Sequence, residues 1–164
     1  MKFKFFIYLI FFLSFSNISH ADKYAFIDID LLLKNSRFGS TLSKELEDVN
    51  NNNINLLKSM ESQIRKNEED LNKVKNVINE DEFNKRLNNL KTEIQSFNKE
   101  KDQLVIDFNE LKQNKMKIFL NKIDPLIKVF MKENNISLLF EKKNIYIGLS
   151  TLDITNDILE KLNN

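Results

Sequence analysis

The spacing of apolar positions changes several times along this chain, and each change predicts a different element. Tyr24-Ala-Phe-Ile-Asp-Ile29 is a short β-branched and aromatic run, which predicts a buried strand. Asp30 is placed to cap a short helix through Leu31, Leu32 and Leu33. The stretch from Asn35 to Ser40 then interrupts the pattern, with Gly39 free to take a backbone conformation closed to other residues. From Leu42 the apolar positions recur as Leu46, Val49, Leu57, Met60, Ile64, Leu71, Val74 and Ile78. Their steps of four and three are those of a heptad seam in which Asn53 and Asn67 take two positions. The step from Asn53 to Leu57 is a second four, a stutter that relaxes the supercoil locally. A seam Asn either fixes register at some cost in stability or reflects the Asn-rich composition, and the sequence leaves both open.

The second half keeps the alternation through Phe83, Leu87, Leu90, Ile94, Phe97, Lys101, Leu104, Phe108, Leu111, Lys115 and Ile118. Lys101 and Lys115 interrupt the apolar face, but their stems can cover it while the ammonium reaches water. Between the halves, Asn79 can end one helix and Asp81 can cap the next. So short a break lets the two stripes bury against each other as an antiparallel hairpin, each arm about 55 Å long at about 1.5 Å per residue. Beyond it, Pro125 predicts a kink or break. Leu126, Ile127, Phe130 and Met131 resume an apolar face, which Glu133-Asn134-Asn135 ends. Ile136–Phe140 and Ile145–Leu149 read as a strand pair around a Lys142-Lys143-Asn144 turn, and Thr155 caps a closing helix with Ile158, Leu159 and Leu162.

The fold class expected is therefore mainly α with a small β body. A helical hairpin arm over residues 42–118, turning near 79–82, is inserted between body segments 22–41 and 119–164. Three short strands make a poor core for one chain, and strands apolar on both faces leave edges that want partners, so the body is expected to form an oligomer.

Composition narrows the chemistry. With 2 Gly and 1 Pro the chain is neither a disordered linker nor a turn-rich all-β fold. There are 0 Cys, which excludes a disulfide framework, a thiolate metal site and a cysteine nucleophile. Met1-Lys-Phe-Lys4, the apolar run from Phe5 to Phe15 and the small-x-small triplet Ser19-His20-Ala21 together read as a signal peptide (1–21) cleaved after Ala21. An uncleaved anchor is the competing reading, although the segment is short for a membrane span. Cleavage removes Lys2 and Lys4, leaving 23 basic and 24 acidic residues, a net charge near −1. It also removes His20, the sole histidine, so no nucleophile–base set or histidine metal site survives and no enzyme is expected. Asp28 and Asp30 suit a strand-end turn and a helix cap better than a catalytic pair, and Arg65 to Asp70 reads as solvated helix surface apart from Asn67.

In this arrangement the chain resembles the Skp/OmpH family of periplasmic chaperones. The residues that carry the resemblance are the strand Tyr24–Asp30, Leu31-Leu32-Leu33-Lys34-Asn35-Ser36-Arg37-Phe38-Gly39, Asp124-Pro125-Leu126-Ile127, the segment Ile136–Leu149, and Leu152-Asp153-Ile154-Thr155. The resemblance spans essentially the whole mature chain. It implies a homotrimer whose strands form a small β-barrel body, with three helical arms around a cavity that holds unfolded outer-membrane proteins in the periplasm. It implies no cofactor and no ATP, and no Gly-x-x-x-x-Gly-Lys loop is present to cradle a nucleotide phosphate. The chain departs from the family in charge. Its best-known members are strongly basic, whereas here Lys73, Lys75, Lys85 and Arg86 mix with Glu80, Asp81 and Glu82 at the tip, so lipopolysaccharide or anionic-lipid binding lacks its usual electrostatic basis. Near-neutral charge and export likewise point away from nucleic acid.

Aromatic seam residues such as Phe83, Phe97 and Phe108 are expected in the hairpin core. Apolar residues off the seam are the candidates for client contact: Ile54, Val77, Val105, Ile106 and Phe119. A holdase needs no active site, only a surface that keeps chains from aggregating. The rival reading of the same features is a periplasmic coiled-coil spacer or adaptor.

Overall fold

A computed structural model describes residues 23–164. The segment containing Ala21 and its cleavage site lies outside the described residues. Among those described, no helix is long and apolar enough to cross a membrane.

Strand β1 (Lys23–Ile27) leads into helix α1 (Ile29–Asn35). The cap is Asp28, not Asp30: its carboxylate accepts the Leu31 amide at 2.9 Å, which satisfies one of the orphan donors of the first turn. The break expected over Asn35–Ser40 is a single residue. Ser36 closes α1 and opens α2 (Arg37–Val74), its amide bonding Leu32 and its Oγ accepting from Gly39 at 3.0 Å. Gly39 is thus helical, and its φ is not positive. What it supplies is space. A Cβ there would stand 2.1 Å from the Leu33 carbonyl oxygen, so only glycine lets α2 leave α1 at this sharp corner.

Helix α2 and helix α3 (Glu80–Asn134) form the hairpin. With 38 and 55 residues they are about 57 and 82 Å long. Asn79 caps α3 by accepting the Glu82 amide at 2.9 Å; Asp81, expected in that role, lies inside the first turn beside Glu80 and Glu82, where carboxylates complement the helix dipole. The helix does not break at Pro125. The ring costs the Asn121 carbonyl its helical donor, but Asn121 is exposed to water, and Ile123 and Ile127 hold the helix to the core on either side. Asn135 ends α3 in the left-handed conformation (φ 53°, ψ 41°), a role asparagine tolerates.

Strand β2 (Ile136–Glu141) returns alongside β1 in parallel, with Ala25 opposite Leu139 and Phe26 opposite Phe140. A parallel pair requires a long crossover, and here the whole arm serves as that connection. Along its other edge β1 bridges Asp153, and the Ile154 amide bonds the Phe26 carbonyl at 3.0 Å. The second strand expected over Ile145–Leu149 does not form within this chain. A 3-10 turn over Lys142–Asn144 is followed by irregular chain, a second 3-10 turn at Ser150–Leu152 and helix α4 (Thr155–Asn163). That segment is apolar on both faces, and one chain cannot cover both. Gly148 lies against the Phe26 ring, while Tyr146, Ile147 and Leu149 are exposed.

The core gathers Ala25, Ile27, Leu32, Leu42, Phe119, Ile123, Ile127, Ile154 and Ile158. Polar bonds tie its parts together. Thr155 Oγ1 accepts the Asp28 amide at 2.9 Å and donates to Asp153, whose other oxygen takes Lys142 Nζ at 2.8 Å. Asn163 Oδ1 accepts the Arg37 amide at 2.9 Å, so the last helix caps the first turn of the arm.

Candidate interaction surface

The arm is a two-helix seam, and two helices cannot enclose their own contact. Leu71 and Leu90 are buried, but most seam side chains, among them Leu57, Met60, Phe83, Phe97, Leu104 and Phe108, are only half-buried. Apolar surface therefore lines the grooves on both sides of the hairpin.

Three polar arrangements on the seam are resolved by the fold. Asn67 donates to Glu93 across the hairpin at 2.7 Å and accepts from Gln63 at 2.8 Å, a partly buried layer whose pairing suits a register-fixing role. Lys115 reaches across to Glu45, so its charge is paired. The third is a shift of phase: Glu93 and Glu100 are half-buried on the seam where Ile94 and Lys101 were expected, and Ile94 turns out to be exposed. Opposition of Glu93 to Asn67 draws this face inward, and local spacing cannot reveal such a cross-hairpin pair.

A similar shift decides one candidate contact. Phe119 is fully buried, stacked on Phe38 with ring centroids 6.3 Å apart, and its neighbour Ile118 is 48% exposed. Phe119 is thus a core residue and leaves the candidate surface. The hairpin heptad, which would point Phe119 outward, does not extend to this turn, because at the base of the arm α3 meets the body and not α2 alone.

The other four candidates are all exposed: Ile54 by 40%, Val105 by 55%, Ile106 by 51% and Val77 by 80%. The fold brings Ile54 and Val105 together. They flank one cleft between α2 and α3 lined also by Leu57, Leu104 and Phe108, with Asn50, Asn53 and Asn109 completing it. Val77 is remote from them, in the turn between the helices. Leu56 and Ile94 are further exposed aliphatics of the arm that sequence reasoning missed. Leu56 lies directly beside the seam residue Leu57, and its place off the heptad seam is the signal in the sequence that marks it.

At the tip, charges pair locally. The Lys73 ammonium, bonded to Asp70 at 3.0 Å, holds that carboxyl below its usual range, and Arg86 does the same to Glu82. At the body, the ion pair and hydrogen bond with Asp153 raise Lys142. Among the described residues, no group of three or more acidic or histidine side chains is arranged to hold a metal ion.

The body presents a second apolar surface. Tyr24, Leu138 and Phe140 on the two strands are about half exposed, and with Tyr146, Ile147 and Leu149 they leave both a sheet face and a loop uncovered. No further strand of the described residues pairs with β2.

Comparison with known proteins agrees with this architecture. A family model described as outer membrane protein (OmpH-like) matches residues 23–162. No curated protein matches the chain. Among solved structures, a candidate outer membrane chaperone (OmpH-like) from Caulobacter crescentus CB15 superimposes with a TM-score of 0.77 at 12% identity, covering 87% of this chain and 85% of that one. At that identity the likeness concerns the fold.

Proposed function

Because this chain belongs to the OmpH-like outer membrane protein family over residues 23–162, we propose that it is an ATP-independent periplasmic holdase. In this reading a signal peptide ending at Ala21 directs export. The mature chain forms a homotrimer through its strand-bearing body, and three arms hold unfolded outer-membrane proteins and prevent their aggregation. It is not an enzyme and uses no cofactor.

The observation that carries the reading is the arm itself. It is long and largely polar, yet it leaves a seam half-covered and displays Ile54, Val77, Val105 and Ile106 to solvent. Contacts of that kind are individually weak and tolerant of sequence, as a protein that holds many unfolded chains requires. The trimer is supported by the uncovered sheet face at Tyr24, Leu138 and Phe140 and by the exposed Tyr146, Ile147 and Leu149, large apolar side chains grouped on the body of the kind that marks an interaction site.

Suppression of aggregation tests the function. A denatured outer-membrane barrel is diluted into buffer with stoichiometric mature protein and no nucleotide. Light scattering is expected to stay low, and scattering equal to that of the client alone would reject the holdase in favour of a coiled-coil spacer. Size-exclusion chromatography with light scattering is expected to give a trimer mass; a stable monomer would remove the cavity.

A further inference from the structure

We infer that the cleft between α2 and α3 at Ile54 and Val105 is a discrete subsite that takes one aromatic side chain of an extended, uncharged client segment and bonds the client backbone beside it through Asn side chains. The inference rests on the holdase reading and assigns part of that surface a chemistry of its own.

Charge is the first argument. The arm carries many charges, yet the nine residues Val49-Asn-Asn-Asn-Asn-Ile-Asn-Leu-Leu57 contain no ionisable residue, and neither does the short stretch Gln103-Leu-Val-Ile106 on the facing helix. These two stretches meet at the cleft, whose lining is three Asn and five apolar side chains. Four exposed aliphatics, Ile54, Leu56, Val105 and Ile106, lie in this one belt. A neutral lining gives a charged side chain no partner to offset its desolvation, so it selects an uncharged occupant.

Size is the second. The cleft measures about 150 Å³. An apolar cavity of about that volume accommodates a benzene ring, so Phe or Tyr fits while a bundle of side chains does not. Leu57, Leu104 and Phe108 provide the apolar lining, and Phe108 offers its ring for an aromatic pair.

Hydrogen bonding is the third. A few asparagines of the fold are engaged within the chain, among them Asn67 with Glu93, Asn79 with the α3 amide and Asn163 with Arg37. Asn50, Asn53 and Asn109 make no side-chain bond to any described residue. Each amide offers both donors and an acceptor, the complement of a peptide backbone. An extended segment seated here places alternate side chains toward the cleft and away from it, as strands of a membrane barrel do.

The test uses the full mature protein with isotope-labelled Asn side-chain amides and Ile and Val methyls. Its probe is a short uncharged Thr/Gln peptide with one central Phe, compared with the same peptide carrying Lys. The Phe peptide is expected to shift the signals of Asn50, Asn53, Asn109, Ile54 and Val105, and the Lys peptide to leave them in place. Val105→Lys is expected to weaken the Phe peptide by about tenfold or more. Binding should hold from roughly 0.05 M to 0.5 M salt, since no ion pair contributes. Equal shifts with both peptides, shifts confined to other surfaces, or unchanged affinity in Val105→Lys would overturn the subsite. Aggregation suppression by the same unmutated sample is read separately. A protein that protects a denatured barrel but ignores the Phe peptide loses the subsite and keeps the holdase, whereas failure to protect the barrel rejects the holdase itself.

Discussion

Ile118 and Phe119 are neighbours in sequence, and the fold assigns them opposite energetic roles. Phe119 has no solvent exposure and stacks on Phe38, where α2, α3 and the body meet. Replacing it with alanine removes a buried ring and leaves a cavity whose walls, Phe38 and the helix-anchored residues around it, have little freedom to collapse. Such a change costs about 3–5 kcal/mol. Ile118 is about half exposed, so the same truncation forfeits only part of its apolar burial, about 1 kcal/mol or less. With a urea dependence of about 2 kcal/mol per molar, Phe119→Ala lowers the unfolding midpoint by about 1.5–2.5 M and Ile118→Ala by no more than about 0.5 M. Both variants and the unmutated protein are compared by circular dichroism at one protomer concentration, because oligomer stability depends on concentration. Equal losses, or a larger loss at Ile118, would show that the seam continues in heptad phase to the body and that the inward placement of Phe119 is wrong.

Gly39→Ala is expected to destabilise by about 1–3 kcal/mol despite alanine's better helix propensity, because the clash is with the Leu33 backbone; thermal unfolding measures it, and a stabilised variant would contradict the tight corner. Asn67→Ala is expected to cost about 0.5–1.5 kcal/mol, with a smaller loss in a Glu93→Ala background; a double-mutant cycle with no coupling would make this layer compositional accident. Burial pushes the Asp153 carboxyl up, but hydrogen bonds from Lys142 and Thr155 outweigh it and hold the group below its usual range. Its contribution is therefore present above the unfolded value of about 3.9 and is lost as pH falls through the lower folded value. Urea midpoints should drop in that acid window, and Asp153→Asn should flatten the drop; an unaltered acid profile in the variant would refute the assignment.

The long elements were legible in the sequence because their cause is local. Heptad spacing from Leu42 to Val74 and from Phe83 to Lys115 requires only that each helix bury one stripe, and that stripe is where the fold places the hairpin, apart from the shift at Glu93 and Glu100. Ile78 lies in the turn, which spans 75–79 instead of the expected 79–82 because Asn79 already caps α3. The strand at Tyr24, the end of α3 at Asn135 and the closing helix with Ile158 are readable from propensity and apolar spacing. Thr155 is not that helix's cap, however: Ile154 holds the cap position without a side-chain bond, and Thr155 Oγ1 is engaged with Asp28 and Asp153 instead. Exposure of Ile54, Val77, Val105 and Ile106 followed from their positions off the seam.

What spacing could not supply were decisions made between distant segments. Whether Asp28 or Asp30 caps α1 depends on where β1 stops, and β1 stops where Asp28 donates its amide to Thr155, 127 residues away. Gly39 has the sequence context of a turn residue, but it is helical, and what requires glycine is the Leu33 carbonyl that the α1–α2 corner brings against it. Pro125 should have broken the helix, but the core grips Ile123 and Ile127 and water reaches Asn121. The pairing of Ile54 with Val105 depends on the hairpin register, which the local pattern leaves undetermined. Sequence by itself thus determined which residues want burial, since hydrophobic period is a property of neighbours along the chain. Tertiary structure alone decided which of them obtain it, because burial is shared between surfaces that only the completed fold brings together.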